Sequence, residues 1–198
     1  MAYSLTPGSG IGDYEVIRKI AEGGMGQVYL IKSKRRGAGT ENKVFVLKGV
    51  PCYSRGDANE SLQEAKVLRD LKHEHIVQYI DAFPHDLGSS MLAVCTVMEF
   101  CECGDLAEHL KMLRGKQQPF LPEPVLRLWL EQLLRALEYL HSVGVLHRDI
   151  KPHNVFMTSS GDLKLGDFGL ATLLARGKIR SRVGTPSYIA PEVLQTVG

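Results

Sequence analysis

Apolar and polar positions alternate through much of the first hundred residues, which is the pattern of half-buried strands. The alternation predicts strands at residues 14–20, 27–32, 44–50, 76–83 and 91–99. Between the third and fourth of these the period changes. Leu62, Ala65, Leu68 and Leu71 recur at three-residue steps, so residues 57–72 are predicted to form a helix, with Asp57 as its cap. Residues 33–43 are basic, contain glycine and read as a solvated loop. Beyond Glu99 the helical period dominates. A short helix is expected over 105–114 and a long one over 122–143. Leu126, Trp129, Leu130, Leu133, Leu137 and Leu140 form the expected buried stripe of the second, and Gly144 ends it. Residues 1–12 are rich in Ser, Gly and Pro and read as a loose, flexible leader. There is no internal repeat. The expected class is α+β: a sheet-rich part with one helix, followed by a helical part.

Composition narrows the function classes. The chain has 198 residues, enough for a good core, since about 70% of the unfolded surface is buried at roughly 150 residues. A net charge of +2 gives no reason to expect a nucleic acid or a membrane as partner. Cys52, Cys95, Cys101 and Cys103 show no disulfide framework. Cys101-Glu102-Cys103 has no second Cys or His pair at zinc spacing, so free thiols in a reducing compartment are expected. No basic start precedes an apolar run, and no stretch is apolar enough to span a bilayer. Ala2 rules out N-myristoylation. These features fit an intracellular enzyme, cytoplasmic, with cytoskeletal or nuclear association left open.

The chemistry lies in the second half. His147-Arg148-Asp149 is followed by Lys151 and Asn154, then by Asp167-Phe168-Gly169 and Ala190-Pro191-Glu192. In this order and spacing the set resembles the catalytic half of a protein kinase. By that resemblance Asp149 orients a substrate hydroxyl and accepts its proton, Lys151 lies beside the γ-phosphate, and Asn154 and Asp167 hold Mg²⁺. The cofactors implied are ATP and Mg²⁺, and the partner is a protein presenting Ser or Thr. Regulatory protein partners are left open.

The first half agrees, with two departures. Residues 20–28 resemble the glycine-rich phosphate loop, with Ala21 where its first glycine would stand and Gly23, Gly26 and Val28 matching. Glycine suits such a loop because backbone can approach phosphates without an intervening side chain. Phe45-Val46-Leu47-Lys48 resembles the strand that ends in the phosphate-binding lysine, with Val46 where alanine is usual. Val46 would make the nucleotide site slightly tighter. Glu64, on the expected helix, resembles the glutamate that pairs with that lysine.

Residues 97–106 resemble a kinase hinge. The resemblance implies that Met98 guards the back of the adenine pocket, that the backbone of Glu99 and Cys101 bonds the adenine edge, and that Asp105 reaches the ribose. Ile20 would cover the ring, and Phe156 would lie beneath it. Gly166 before Asp167 would leave that pocket roomy.

Lys151 and Gly184-Thr185-Pro186 resemble serine/threonine kinases rather than tyrosine kinases. The Met-Glu-Phe-Cys-Glu run, Tyr79, Phe156 and Gly166 are similar to the NIMA-related (Nek) group. Residues 170–187 fall where that group keeps an activation loop. Ser181 stands four residues before Thr185, at a position resembling its phosphorylated site, with Arg148 as partner and Thr172 and Thr185 as rivals. Domain expectations follow: a leader at 1–12 and a kinase domain at 13–198, divided into an N-lobe at 13–99, a hinge at 100–104 and a partial C-lobe at 105–198. The fold expected is bilobal, with nucleotide between the lobes. The chain stops six residues after Glu192, short of the later helices the resemblance implies. The expectation is a fragment of a longer protein. The alternative function is a catalytically silent nucleotide-binding or scaffold module, silent because those helices are missing.

Overall fold

The computed structural model describes residues 4–23, 26–35, 43–88, 91–115, 120–169, 171–173 and 184–195. The chain forms two compact units, Met1–Lys72 with Gln78–Phe100, and His73–Val77 with Cys101–Gly198. Residues 73–77 therefore belong with the second unit and not with the expected span 13–99.

The first unit is built on one antiparallel sheet. Its strands are β1 (Gly10–Ile11), β2 (Tyr14–Gly23), β3 (Gly26–Ser33), β4 (Val44–Cys52), β5 (Tyr79–Gly88) and β6 (Met91–Glu99), in the order β1-β2-β3-β4-β6-β5. Alternation along the strands sends Tyr14, Val16, Tyr29, Ile31, Phe45, Leu47, Ala93, Cys95 and Val97 to one buried cluster. Full burial of a Leu or Phe contributes about 1.5–3 kcal/mol. Tyr14 stacks on Phe83 and meets Phe45 edge-on. Burial and the Asp81 carboxylate push the Tyr14 phenol up to about 12.

Between residues 5 and 11 the expected leader is bonded and packed onto the sheet. Gly8 N–H donates to the Val16 carbonyl at 2.8 Å and Val16 N–H to that of Ser9 at 2.9 Å. β1 pairs with β2, Ile11 is 1% exposed, and Leu5 packs on the core. Backbone pairing and two apolar side chains outweigh the loop-like composition.

Helix α1 (Arg55–Asp70) starts two residues before the expected helix. Its cap is Ser54, not Asp57: the Ser54 Oγ accepts from the Asp57 N–H at 3.0 Å. Asp57 instead places a carboxylate in the first turn, where the helix dipole favours it. Ala58 and the half-buried Leu62 face Cys52, Val94 and Leu92 of the sheet.

The second unit contains α2 (Leu106–Arg114), α3 (Glu123–Ser142), β7 (Val145–Leu146), β8 (Val155–Met157), β9 (Leu163–Leu165), β10 (Thr172–Leu173) and α4 (Pro191–Gln195). β8 and β9 form a hairpin, and β10 pairs with β7. Ile76 bridges to Leu165. The expected strand at 76–83 therefore begins only at Tyr79, because residues 75–77 bond to β9 of the second unit.

The buried side of α3 differs from the expected stripe. Trp129, Gln132, Ala136 and Leu140 are buried, whereas Leu126 is 49% and Leu130 59% exposed. Gln132 explains the rotation. Its Nε2 donates to Asp162 Oδ1 at 2.7 Å and its Oε1 accepts from the Leu163 N–H at 2.9 Å, so a polar residue takes an inward position by pairing. Gly144, at φ 73°, supplies the left-handed turn that ends the helix.

Candidate active site

In the first unit the sheet register gathers the expected nucleotide residues on one face. Ala21 pairs with Val28, Val28 with Lys48, Leu30 with Val46, Val46 with Met98, and Lys48 with Thr96. Directly opposed residues share a face, so Ala21, Val28, Val46, Lys48 and Met98 lie together on the side opposite the Tyr29–Phe45–Leu47 core. Ile20 is 37% exposed and sits at a bulge of β2. Glu64 lies on an exposed position of α1.

Gly23 and Gly26 oppose each other at the end of the β2–β3 pair. They are not equivalent. Gly26 has φ 119°, and a Cβ there would stand 2.3 Å from the Gly49 carbonyl oxygen. At Gly23 a Cβ would meet nothing within 4 Å. Only the second glycine is dictated by the fold.

At the end of β6, Glu99 N–H donates to the Gln78 carbonyl at 3.0 Å, and its Oε1 accepts from Gln78 N–H at 2.6 Å. In the second unit the Cys101 carbonyl accepts from Gly104 N–H at 3.2 Å. Asp105 caps α2, its Oδ1 accepting from the Glu108 N–H at 3.0 Å.

The catalytic candidates converge in the second unit. Asp149 is 8% exposed. Its Oδ1 accepts from the Thr185 N–H at 3.0 Å and the Thr185 hydroxyl at 2.7 Å. Its Oδ2 accepts from Lys151 Nζ at 2.8 Å and Asn154 Nδ2 at 2.9 Å. A carboxylate offers about four lone-pair directions, and here all are taken. Burial pushes this carboxyl up, but the hydrogen bonds from Lys151, Thr185 and Asn154, with the lysine charge, outweigh it and hold it at about 2. In the sequence Thr185 reads as part of Gly184-Thr185-Pro186 and as a rival of Ser181, not as a partner of Asp149. Its tie to Asp149 depends on a contact between residues 36 apart in sequence.

His147 had no assigned role in the sequence, yet it joins the loops. It is 2% exposed. Its Nε2 lies 2.9 Å from the Gly166 carbonyl, while its Nδ1 accepts from the Asp149 N–H at 3.2 Å. Those partners require a neutral ring protonated at Nε2, and burial pushes its pKa down. The ring also meets Phe168, centroids 4.8 Å apart. Arg148 and Asp167 have φ of 66° and 55°. Such residues cost on the order of 1–3 kcal/mol; Arg148 stands between the bonded His147 and Asp149, and Asp167 follows the bonded Gly166.

Gly166 does not leave space. A Cβ there would lie 2.8 Å from Val77 Cγ2 and 2.9 Å from Phe156 Cε2. The glycine is needed because Phe156 and Val77 already fill that volume. Ser181 lies outside the described residues, as do Arg176, Lys178, Arg180 and Arg182. Gly184, at φ 130°, passes close to the Arg148 carbonyl: a Cβ would stand 3.0 Å away.

The residues present fit Mg²⁺ and ATP. Asn154 is 3% exposed, and its Nδ2 is spent on the Asp149 carbonyl at 2.7 Å and on Oδ2. Its Oδ1 is thereby turned from the carboxylate, and no described residue donates to it. A buried amide oxygen with no donor, together with the Asp167 carboxylate, is the oxygen donor chemistry that a hard cation takes. The tight backbone at Gly26 suits a phosphate group, which needs close approach of main-chain N–H groups.

The family model described as the protein kinase domain matches residues 14–198. Serine/threonine-protein kinase Nek6 of Oryza sativa subsp. japonica is 39% identical over 186 residues, covering 93% of this chain and 33% of that protein. Serine/threonine-protein kinase Nek3 of the same plant is 36% identical, covering 93% and 30%. CBL-interacting protein kinase 4, also from rice, is 36% identical, covering 93% and 40%. The chain thus spans about a third of the length of the curated relatives it matches. The Nek similarity agrees with the residues that suggested it. With a carboxylate, lysine and asparagine bonded as one group and a matching model over nearly its whole length, the chain belongs to the protein kinase family.

Proposed function

We propose that this chain carries the phosphoryl-transfer machinery of a serine/threonine protein kinase, moving phosphate from ATP to hydroxyls of protein substrates. The observation that carries this reading is the Asp149 carboxylate, bonded at both oxygens by Thr185, Lys151 and Asn154. Bound Mg·ATP would supply the phosphoryl group and the cationic charge that neutralises it.

The chain's own residues do the rest. Lys48 would hold phosphate oxygens, aided by Glu64, and Asn154 Oδ1 with Asp167 would hold the cation. Ile20, Ala21, Val28, Val46 and Met98 of the first unit would bound the adenine. The backbone of Glu99 and of Cys101 would bond the adenine edge. Asp105 Oδ1 is committed to the α2 cap, which leaves Oδ2 for a ribose hydroxyl.

All lone-pair directions of Asp149 are occupied, so a substrate hydroxyl must displace a donor. The backbone N–H of Thr185 and the buried Asn154 amide are fixed. Lys151 is the mobile donor, and its move toward the γ-phosphate would open Oδ2 to the incoming hydroxyl. The proton would pass to Oδ2. With Lys151 bonded the carboxyl is held at about 2 and is a weak base; the departure of Lys151 would remove the first of the lowering causes, so orientation of the hydroxyl comes first and proton transfer late.

The test is transfer of radiolabelled phosphate from ATP to a protein acceptor, with Asp149→Asn beside wild type. Transfer by wild type that is lost in the variant supports the reading. Equal transfer by both overturns it.

A further inference from the structure

The segment at Leu5 is bonded through a chain of side chains inside the first unit to the strand ends that carry Gly23 and Gly26. Leu5 N–H donates to the Tyr29 hydroxyl at 3.0 Å. The Tyr29 hydroxyl donates to Gln27 Oε1. Gln27 Nε2 donates to Glu22 Oε1 at 3.1 Å, and Lys19 Nζ donates to Glu22 Oε2 at 2.5 Å. From Leu5 to Glu22 each donor points the same way, and the series ends on a carboxylate. Such chains polarise cooperatively. The lysine and glutamine hydrogen bonds hold the Glu22 carboxyl below its usual range.

Burial makes the middle of this chain consequential. Tyr29 is 0% and Gln27 5% exposed. The Tyr29 hydroxyl uses both its donor and its acceptor capacity, and the Gln27 amide uses its oxygen and its nitrogen. Removing one member leaves buried polar atoms unsatisfied. Glu22 and Gln27 are directly opposed across β2 and β3, one register step from the Gly23–Gly26 pair. The relay therefore fixes the strand ends beside the Gly23–Gly26 pair, which is proposed to approach the phosphates. Its far end is the segment that reads in sequence as a loose leader.

We propose that residues 5–11 are a positioning element for the Gly23–Gly26 pair, acting through Tyr29 and Gln27 and setting these strand ends for ATP. The ATP part of this inference rests on the function proposed above. Tyr29 and Gln27 are positioning residues, since neither need touch the nucleotide.

The experiment compares wild type, Tyr29→Phe, a form lacking residues 1–6, and the two changes combined. ATP KM and kcat are measured with casein as acceptor. Amide hydrogen exchange is followed at residues 21–23 and 26–28. Losing one buried hydrogen-bond partner is expected to raise ATP KM roughly threefold to tenfold, with kcat within about twofold. Exchange should quicken in these strand ends. The combined form should be no worse than either change alone, because both cut one chain. An unchanged KM with unchanged exchange overturns the proposal, even if melting temperature falls. Fully additive effects overturn it too. If wild type takes up no ATP, the kinase reading fails separately. Exchange then decides: protection lost in both altered forms supports the positioning role, and protection retained overturns it.

Discussion

The Thr185 hydroxyl stands between two candidate catalytic side chains, accepting from Lys151 Nζ at 2.6 Å and donating to Asp149 Oδ1 at 2.7 Å. Thr185→Val keeps the shape and removes the hydroxyl, leaving Oδ1 with the backbone N–H alone. Turnover is expected to fall about tenfold to a hundredfold, with ATP KM little changed, and Thr185→Ser should recover most of it. Steady-state kinetics on the pair check this. Equal turnover in Thr185→Val and wild type would show that the hydroxyl does not set the carboxylate.

The pH dependence follows from the same cluster. Asp149 is held at about 2 against a usual value of 3.8. A depressed carboxyl favours the folded state fully above 3.8, and that contribution drains away as pH falls toward about 2. The acid limb of kcat above about pH 4 should therefore not belong to Asp149. Thr185→Val, which removes one of the lowering hydrogen bonds, should move acid unfolding to higher pH. An acid-denaturation series on both proteins reads the shift directly.

Gly23 and Gly26, proposed to approach the phosphates, should respond unequally. Gly26→Ala forces a Cβ against the Gly49 carbonyl at a positive φ and should cost on the order of 1–3 kcal/mol or more. Gly23→Ala meets open space and should leave the melting temperature nearly unchanged. Thermal unfolding of both variants separates them, and equal melting would contradict the register at this pair.

Much of this arrangement was readable from local pattern. Strand alternation around Leu30 and Val46 and the spacing from Asp149 to Asn154 are short-range signals, and each survives into the structure. What was hidden depends on distant partners. Nothing near Leu5 announces that its N–H meets Tyr29, so a Ser/Gly/Pro-rich stretch read as loose. Leu126 and Leu130 carry the helical period, but the inward side of α3 is fixed by Gln132 pairing with β9 and the turn before it. Ser54 and Asp57 are both good caps by type, and only geometry chooses between them. Gly166 suggested space because a missing side chain looks like room in a sequence.

Lys48→Met should remove a phosphate-binding charge and leave the strand packing alone. The residue is half-buried on the exposed-side face of β4, opposite the Leu47 core. Turnover should fall by about a hundredfold or more, while the melting temperature stays near wild type. A variant that fails to fold would make Lys48 a structural residue.

Ser181 is proposed as a phosphorylation switch with Arg148 as its partner. A phosphate adds roughly −1.5 to −2 charge, and a guanidinium fork suits it. Arg148 immediately precedes Asp149, so an anion drawn to it would steady the carboxylate's backbone. Ser181→Ala should lower activity, and Arg148→Ala should abolish any gain from phosphorylation. Mass spectrometry of active protein checks the site, with Thr172 and Thr185 as the competing positions. An unmodified Ser181 in fully active protein would remove the switch.

Gly166 is gripped on every side. Its N–H donates to the Asn154 carbonyl at 2.8 Å, its carbonyl meets His147 Nε2 at 2.9 Å, and Phe156 and Val77 occupy the place of a side chain. Such a residue cannot drift by small amounts, because any shift breaks two hydrogen bonds and a packed contact together. The backbone leading into Asp167 is therefore clamped from both sides, and the carboxylate proposed to hold the cation is carried on a rigid base.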